Sequence, residues 1–411
     1  MNKSASKLRD EYLNKHWFRY PEMPQRALKW GRVEQQYIGT QLLSELVLSS
    51  TEIGHEPFNA ADVLVEGDLV AILPQKSAVL LAPNLTAKRP QDQLWSEHKK
   101  WQAFIESVRQ VFIRKSFQPV KTPTLVTCPG TEPSLDVFET EFQIESKKKT
   151  FFLPTSPELN LKKLLAEGAE RIFEIAPVFR NGEKTERHSP EFLMLEWYRA
   201  FTGLSKIKMD VIELIEVLAI EMKRPVPSGH RTFTVAELFK NYCDFNLTPS
   251  TTANELKQLA ANLNVDVSAA TTIDDYFYLI FIEKIENKWS HDELVFVEKY
   301  PPYQAALARL DQAGWAERFE VYWKGYELGN AFHELNDPTV QKQRSNEDLE
   351  KKRAMGKKPI HLDPSFFEAL DYGLPPSAGI AVGLERLYMS LTDTPEISGI
   401  NRIYKVWQNY P

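Results

Sequence analysis

The pattern of apolar and polar positions divides the chain into a short β-rich front and a long mixed segment. Between 26 and 86, short apolar runs separated by Gly, Pro and polar breaks predict a small β module followed by a linker. Apolar residues at helical spacing then predict one long amphipathic helix over about 91–115. Pro119 and Pro123 exclude a helix after it, so the pattern predicts an extended segment at a sheet edge or an interface.

Beyond this helix the pattern alternates between strands and helices. Strands and hairpins are predicted over 150–202, and a mainly helical block, interpreted as an insertion, over about 205–290. Strands return at 293–300, 317–334 and 378–383, and the charged run 341–358 is typical of a solvated helix. Strands, helices and strands again predict an α+β fold with an antiparallel core.

Composition narrows the class of protein without naming a reaction. The chain has 411 residues, enough for two or three domains, and its 43% apolar and 26% charged residues are typical of a globular fold. The net charge of -6 argues against a basic nucleic-acid coat but leaves a local basic cleft possible. Two cysteines are too few for a disulfide scaffold, and no signal peptide or membrane span is evident, so we expect a cytoplasmic protein.

Glu196 is the first candidate functional residue. It lies in the predicted strand 192–198, whose period of two separates a core face from a second face. The core face carries Leu193, Leu195 and Trp197, and the second carries Phe192, Met194, Glu196 and Tyr198. A carboxylate between aromatic neighbours is either at an edge or a ligand for a positive group. Arg180 precedes this strand by an 11-residue polar loop, and it could bind a phosphate or pair with a carboxylate.

A second candidate is the hairpin predicted around a turn at Lys324-Gly325. Folding there sets Tyr322 opposite Glu327 and Glu320 opposite Gly329. Glu320 and Glu327 then become diagonal neighbours on one face, which requires a divalent cation or a Lys/Arg partner between them. The alternative is an ordinary charged hairpin in solvent.

The same hairpin carries Asn330, Phe332 and Glu334 with the opposite parity. They face away from Glu320 unless a bulge near Gly329 re-aims them. If it does, a third carboxylate joins the site.

Two helix starts complete the candidates. Thr155 is predicted as an N-cap with Glu158 at the third helical position, a capping box that explains Glu158 without any function. The small and apolar residues 379–384 run into a helix that carries Arg386 in its first turn. They would let a flat ligand approach the backbone and an anion meet Arg386, although close sheet packing explains them as well.

In this order, these segments resemble the three signature motifs of class II aminoacyl-tRNA synthetases. The long helix with 117–123 resembles motif 1, 179–192 resembles motif 2 and 379–386 resembles motif 3. The resemblance implies a catalytic domain over 91–411, with an antiparallel sheet flanked by helices and the helical insertion. It also implies an N-terminal segment, 1–90, with a reduced OB-like β module and linker.

Within this class, four segments resemble the lysyl branch, namely 155–158, 187–192, 317–320 and 332–335. More narrowly, 195–199 and 332–335 are similar to the elongation factor P (R)-β-lysine ligases, a family of lysyl-tRNA synthetase paralogues. The resemblance implies that ATP activates (R)-β-lysine or lysine as an adenylate, and that a lysine of elongation factor P accepts the acyl group. It also implies a homodimer through the motif 1 helix.

The resemblance assigns residues to the nucleotide. Arg180 would hold the α-phosphate and Phe192 would stack on adenine, with Arg386 near the other face, and the two arginines would be the catalytic residues. Glu320 and Glu327 would hold Mg²⁺. The remaining implied ATP contacts are Asn181, Gly182, Glu183, His188, Ser189, Glu327, Leu328 and Gly383.

The resemblance also assigns the amino-acid pocket. Glu158 would meet the amino group nearer the carboxylate, and Glu334 would select the distal ammonium. The remaining implied substrate residues are Ser156, Glu196, Tyr198, Asn330, Phe332 and Ala381. Ser156 and Ala381 match the β-lysine ligases, and the methyl group of Ala381 would fill the floor where an α-amino acid sits.

Two departures keep alternatives open. Motif 2 usually has Glu where this chain has Gly182, with the acid following at Glu183, and Ser116 replaces the usual motif 1 glycine. One alternative is a lysyl-tRNA synthetase that charges tRNA-Lys, although the front module has few aromatic or basic residues for reading tRNA. The other is an inactive paralogue that acts as a binding or regulatory protein, which Gly182 favours.

Overall fold

The computed structural model describes residues 29–38, 41–48, 55–57, 68–72, 78–82, 94–286, 288–397 and 400. The chain divides into two units, Met1–Leu94 and Trp95–Pro411. Within the described ranges, no helix has the length and apolar character needed to cross a membrane.

The first unit contains a five-stranded antiparallel sheet. Its strands are β1 (Lys29–Ile38), β2 (Gln41–Leu48), β3 (His55–Pro57), β4 (Leu69–Ile72) and β5 (Ala78–Ala82), in the order β3-β2-β1-β4-β5. The strands confirm the β character that the apolar runs predict. Its OB-like relationship stays a prediction, and the predicted linker lies outside the described residues.

The second unit is built on an eight-stranded sheet with the order β11-β12-β13-β14-β15-β10-β9-β6. Its strands are β6 (Gln118–Pro119), β9 (Arg171–Phe179), β10 (Glu191–Ala200), β11 (His230–Thr234), β12 (Leu294–Tyr300), β13 (Ala316–Trp323), β14 (Tyr326–His333) and β15 (Ser377–Gly383). Only the outermost pairs, β11–β12 and β6–β9, are parallel. A separate hairpin joins β7 (Glu139–Ile144) to β8 (Lys147–Phe152). The predicted α+β class with an antiparallel sheet is confirmed.

Helices flank this sheet. They are α1 (Leu94–Arg114), α2 (Glu158–Ala166), α3 (Leu204–Glu221), α4 (Val235–Cys243), α5 (Ala253–Asn262), α6 (Ile273–Lys284), α7 (Pro338–Ala354), α8 (Pro364–Gly373) and α9 (Leu384–Thr392). Apolar faces of α1, α3 and α9 share the main core with the middle strands, including Trp197, whereas α4, α5 and α6 form a second core against β12 and β13. The block over 205–290 is therefore mainly helical, as predicted, but its first helix belongs to the main core.

The segment after α1 has the extended form that its prolines predict. Gln118 and Pro119 form the short edge strand β6, parallel to β9. Ser116, which stands where motif 1 usually has glycine, has a φ of 60°, in the left-handed region that favours glycine. The serine therefore preserves the turn that the missing glycine would make.

Candidate active site

One cavity of about 480 Å³ gathers most of the predicted site residues. Those that line it are Ser156, Glu158, Arg180, Glu183, His188, Ser189, Phe192, Glu320, Glu327, Leu328, Asn330, Phe332, Ala381, Gly383 and Arg386. They come from the loop between β9 and β10, from β10, β13, β14 and β15, and from the starts of α2 and α9. Five predicted residues are not part of the lining: Asn181, Gly182, Glu196, Tyr198 and Glu334.

Arg180 marks the cationic end of the cavity. Its guanidinium lies 5.2 Å from the ring centroid of Phe192, and Glu183 Oε2 is 3.8 Å from its Nη1. Its Nε is buried and has no hydrogen-bond partner in the described part of the chain. An unpartnered buried donor is costly, so this end of the cavity has an unfilled position for an acceptor such as a phosphate oxygen.

The second arginine at this end, Arg386, is fixed by its neighbours. Nη1 donates to the Glu327 carbonyl at 3.1 Å, and Nη2 donates to His188 Nε2. Because Nε2 accepts, Nδ1 of His188 carries the proton towards Thr185 Oγ1, 2.8 Å away. Burial and the charge of Arg386 lower the pKa of His188, which therefore acts as a neutral support.

In the motif 2 loop, Glu183 lines the cavity, whereas Asn181 and Gly182 do not. Gly182 is exposed and has a φ of 82°, which glycine adopts without strain. Asn181 donates its N–H to the Asp136 carbonyl at 3.0 Å and lines a separate small cavity. The acid that follows Gly182 thus points back towards Arg180 across the turn.

The hairpin of β13 and β14 corrects the predicted register. Tyr322 lies opposite Glu327, as predicted, but the register shifts by one residue, so Val321 pairs with Gly329 and Glu320 pairs with Asn330. The expected pairing of Glu320 with Gly329 is therefore wrong. This is the bulge that re-aims the end of β14, and Asn330 lines the cavity together with Glu320.

Glu320 has an Arg partner, one of the two kinds of positive partner expected for it. Arg318 Nη2 donates to Oε1, while the hydroxyls of Tyr300 and Tyr322 donate to Oε2. Arg318 also donates its Nε to Asn330 Oδ1 at 2.9 Å. Both oxygens of Glu320 are thus already paired.

Glu327 is the second carboxylate predicted to hold Mg²⁺, and the role of Glu320 and Glu327 as its ligands stays a prediction. It lines the cavity 3.7 Å from Arg386 Nη1, and burial and the nearby Glu320 raise its pKa. The described residues contain no group of three or more His, Cys, Asp or Glu side chains arranged to hold a metal. Mg²⁺ commonly uses one or two carboxylates with substrate phosphates and water, so Glu327 fits such an ion only together with a bound phosphate.

At the opposite end of the cavity, the start of α2 differs from its predicted capping box. Thr155 Oγ1 donates to the Pro129 carbonyl, and the hydroxyl that accepts the Glu158 N–H, at 3.0 Å, is that of Ser156. The predicted capping box of Thr155 and Glu158 is therefore wrong. Pro157 is the residue directly before the helix, and Ser156, rather than Thr155, accepts the Glu158 N–H. The Glu158 carboxylate is left for the cavity.

Ser156 also orients Glu196. Its hydroxyl donates to Glu196 Oε1 at 2.5 Å, and Tyr198 OH donates to Oε2 at 3.1 Å. Glu196 is 1% exposed and lies opposite Ala381 in the β10–β15 pair, which confirms the predicted second face of β10. Glu196 is thus a buried carboxylate that two hydroxyl groups hold in place, next to Ser156 and Ala381 of the cavity wall.

Lys162, which the sequence analysis missed, joins the two carboxylates of this end. Its Nζ lies 2.6 Å from Glu158 Oε1 and 2.6 Å from Glu334 Oε2. These two carboxylates raise its pKa despite burial, so it remains charged. The spacing of four residues between Glu158 and Lys162 on α2 was the available signal.

One lysine does not balance three buried carboxylates. Burial raises the pKa of Glu196 to about 8 and that of Glu334 to about 8, and Glu158 adds to both shifts. Glu334 Oε1 has no hydrogen-bond partner among the described residues. The arrangement therefore favours additional positive charge, such as the ammonium groups of a diamine.

The floor of this end is formed by β15. Ala381 pairs with Glu196 on one side and Asn330 on the other. Gly379 lies under the Tyr198 ring, where a Cβ would come 2.3 Å from the ring carbons. A side chain at position 379 would therefore displace Tyr198, and with it a hydrogen bond to Glu196.

The comparisons with known proteins agree with this geometry. The family model described as tRNA synthetases class II (D, K and N) matches residues 90–402. Three relatives share the name elongation factor P–(R)-β-lysine ligase. The one from Haemophilus influenzae strain Rd is 34% identical, covering 74% of this chain and 93% of the relative.

The other two are similarly complete matches. The relative from Vibrio parahaemolyticus is 37% identical, and the match covers 69% of this chain and 88% of the relative. The relative from Hamiltonella defensa is 32% identical, and the match covers 72% of this chain and 91% of the relative. This chain belongs to the class II tRNA synthetase family and, within it, to the family of the elongation factor P–(R)-β-lysine ligases.

Proposed function

We propose that this protein uses ATP to activate (R)-β-lysine, or lysine, and transfers the acyl group to a lysine of elongation factor P. The observation that carries this proposal is a single cavity lined by Arg180 and Arg386 and by Glu158, which Lys162 joins to the buried Glu334 behind the lining. A phosphate and a diamine have opposite charges, so the two ends are suited to different parts of the reactants. The printed names of the relatives support the acceptor.

In the first step, a carboxylate oxygen of the amino acid attacks the α-phosphorus and pyrophosphate leaves. Arg180, with its unpartnered buried Nε, would stabilise the charge that develops on the α-phosphate. Arg386, held by the Glu327 carbonyl and His188, would lie along the nucleotide that Phe192 stacks upon. A bound Mg²⁺, held by Glu320 and Glu327 with the phosphates, would neutralise phosphate charge. Positioning rather than proton transfer carries this step, because the nucleophile is already ionised.

The carboxylate cluster would select the amino acid. Glu334 and Glu196 lie in the low-dielectric interior, where an unpaired carboxylate is strongly unfavourable. A substrate without the distal ammonium cannot pair with either carboxylate, so it loses this interaction and binds more weakly.

Pyrophosphate exchange across a panel of amino acids tests the activation step. We expect exchange with (R)-β-lysine, weaker exchange with lysine and none with norleucine, which lacks the distal ammonium. Equal stimulation by norleucine, or no stimulation by either lysine isomer, would contradict the proposal. Efficient charging of tRNA-Lys by the same preparation would instead favour the tRNA synthetase alternative.

A homodimer in the cytoplasm is the accompanying proposal. The short edge strand β6 and the exposed side chains of Ile113 and Leu125 support a contact beside the motif 1 helix. The two cysteines, Cys128 and Cys243, are free and buried, which suits a reducing compartment. Sedimentation velocity tests the dimer, and a monomer at micromolar concentration would contradict it.

A further inference from the structure

The loop over residues 129–136 forms a wall of the active-site cavity that no assignment yet explains. Thr131, Glu132, Ser134 and Leu135 all line the cavity. The loop begins beside the carboxylate end, where the Pro129 carbonyl accepts both the N–H of Thr155, at 3.1 Å, and its Oγ1–H, at 2.8 Å. Its first residues are therefore fixed to the segment that leads into Ser156.

The far end of the loop is fixed to the nucleotide end. The Asp136 carbonyl accepts the N–H of Asn181, the residue after Arg180, at 3.0 Å. From outside, Lys352 Nζ on α7 donates to the carbonyls of Glu132, at 3.1 Å, and Leu135, at 2.9 Å. The loop thus spans the two ends of the cavity, and three anchors hold the backbone of Glu132 in place.

Gly130 makes room for the Glu132 carboxylate. A Cβ at Gly130 would lie 2.4 Å from Glu132 Oε2 and 2.6 Å from Thr155 Oγ1, and the φ of 139° at this position suits glycine. The carboxylate therefore packs on the Gly130 backbone, next to Thr155. In the described part of the chain, no Lys, Arg or His side chain forms an ion pair with it.

The surroundings of Glu132 raise the pKa of its carboxyl group and so make the carboxylate a stronger base. Burial is the largest cause that raises its pKa, the charge of Glu158 adds to it, and Arg180 and Lys352 oppose it. Asp348, on α7, is another acid whose charge interacts with that of Glu132. Because its loop is fixed at one end to Thr155 and at the other to Asn181, Glu132 lies on the cavity wall between the start of α2 and the loop that carries Arg180.

We propose that Glu132 is the general base of the acyl-transfer step, which rests on the proposed function above. The acceptor lysine arrives as an ammonium group, and Glu132 takes one of its protons. The freed nitrogen attacks the carbonyl carbon of the aminoacyl-adenylate, the C–N bond forms and the C–O bond to phosphate breaks. AMP leaves with that electron pair, and the second proton passes to the departing phosphate or to water. The activation step needs no base, so Glu132 has no part in it.

The test separates the two steps with Glu132→Gln, which keeps the shape of the side chain. Pyrophosphate exchange measures adenylate formation, and trapping with hydroxylamine, an amine that is neutral at pH 7, measures the reactivity of the adenylate. Transfer to elongation factor P encoded by the same genome measures the second step. We expect exchange and trapping within about twofold of wild type and transfer lower by about 100-fold or more, as for other general bases. Glu141→Gln, the same change at an exposed glutamate of β7 that pairs with Lys148 and does not line the cavity, is the matched control and should retain all three rates.

The pH dependence identifies the missing proton acceptor. Raising the pH from 7 to 9 supplies more neutral lysine amine, whose pKa is about 10.4, so the transfer deficit of Glu132→Gln should shrink. Transfer at the wild-type rate, an equal loss of exchange, or a deficit that does not change with pH would overturn the role of Glu132. A wild-type protein that performs neither exchange nor transfer would overturn the proposed function itself.

Discussion

Lys162 Nζ lies 2.6 Å from Glu334 Oε2, and each side chain is only 1% exposed. The same ammonium is 2.6 Å from Glu158 Oε1. The two acids assigned to the amino groups of the substrate are thus held together by a lysine of the protein. The pocket is a cluster with one internal cation, to which the proposed substrate would add its ammonium groups.

Removing this cation should destabilise the fold. Lys162→Met leaves two carboxylates facing each other in the interior, and breaking a buried ion pair typically costs about 3–5 kcal/mol in the free energy of unfolding. Urea denaturation measures the loss. Lys100→Met is the control, because Lys100 pairs with Glu97 on the exposed side of α1 in a surface bridge worth about 1 kcal/mol or less. Equal losses in the two variants would contradict the structural role of Lys162.

Binding of the amino acid should depend on pH between 6 and 8. The pKa of Glu334 and that of Glu196 are raised to about 8, so below pH 8 the empty pocket holds protons that an ammonium group must displace. Affinity should therefore rise with pH, by up to about tenfold per pH unit for each proton released.

Isothermal titration in buffers of different ionisation enthalpy counts these protons. We expect net proton release at pH 7 with wild type and less release with Glu334→Gln. No net proton release at pH 7, or affinity that does not rise from pH 6 to 8, would show that the carboxylates are already ionised in the empty pocket.

A side chain at position 379 should lower both the stability of the fold and the affinity for the amino acid. In Gly379→Ala, the new methyl group meets the Tyr198 ring, and such overpacking typically costs about 1–3 kcal/mol. Movement of Tyr198 also removes its hydrogen bond to Glu196, so the KM for the amino acid should rise. Gly229→Ala, where a Cβ has open space around it, should leave both quantities unchanged.

Arg180 should matter for the rate rather than for amino-acid affinity. Arg180→Gln removes a donor aimed at the developing phosphate charge, which typically lowers kcat by about 100- to 1,000-fold. Steady-state exchange kinetics should show the loss in kcat, with the KM for (R)-β-lysine little changed. A raised KM with an unchanged kcat would show that Arg180 does not contact the reacting phosphate.

Local sequence patterns predicted much of this fold because they follow from periodicity. The alternating faces of β10 and the proline-bounded strand β6 both depend on neighbouring residues alone. The bulge in β14 was foreseen only as an alternative. Nothing in the local sequence decides between a regular hairpin and one with an extra residue, because the pairing with β15 also fixes the register.

The candidate site shows the same division. Glu158 and Lys162 are four residues apart, but their third partner, Glu334, comes from a distant strand, so tertiary structure alone reveals the cluster. Glu132 belongs to no recognised sequence motif, and only the hydrogen bonds that fix its loop reveal its place at the cavity. Conversely, the likeness to motif 2 suggested Asn181, which the folded loop directs to another cavity.

The most direct test of the account is mass spectrometry of elongation factor P after incubation with this protein, ATP and (R)-β-lysine, with tRNA-Lys present as a competing acceptor. The account predicts that elongation factor P gains the mass of one β-lysyl group on a single lysine, and that no gain occurs without ATP. Unmodified elongation factor P together with aminoacylated tRNA-Lys would contradict it.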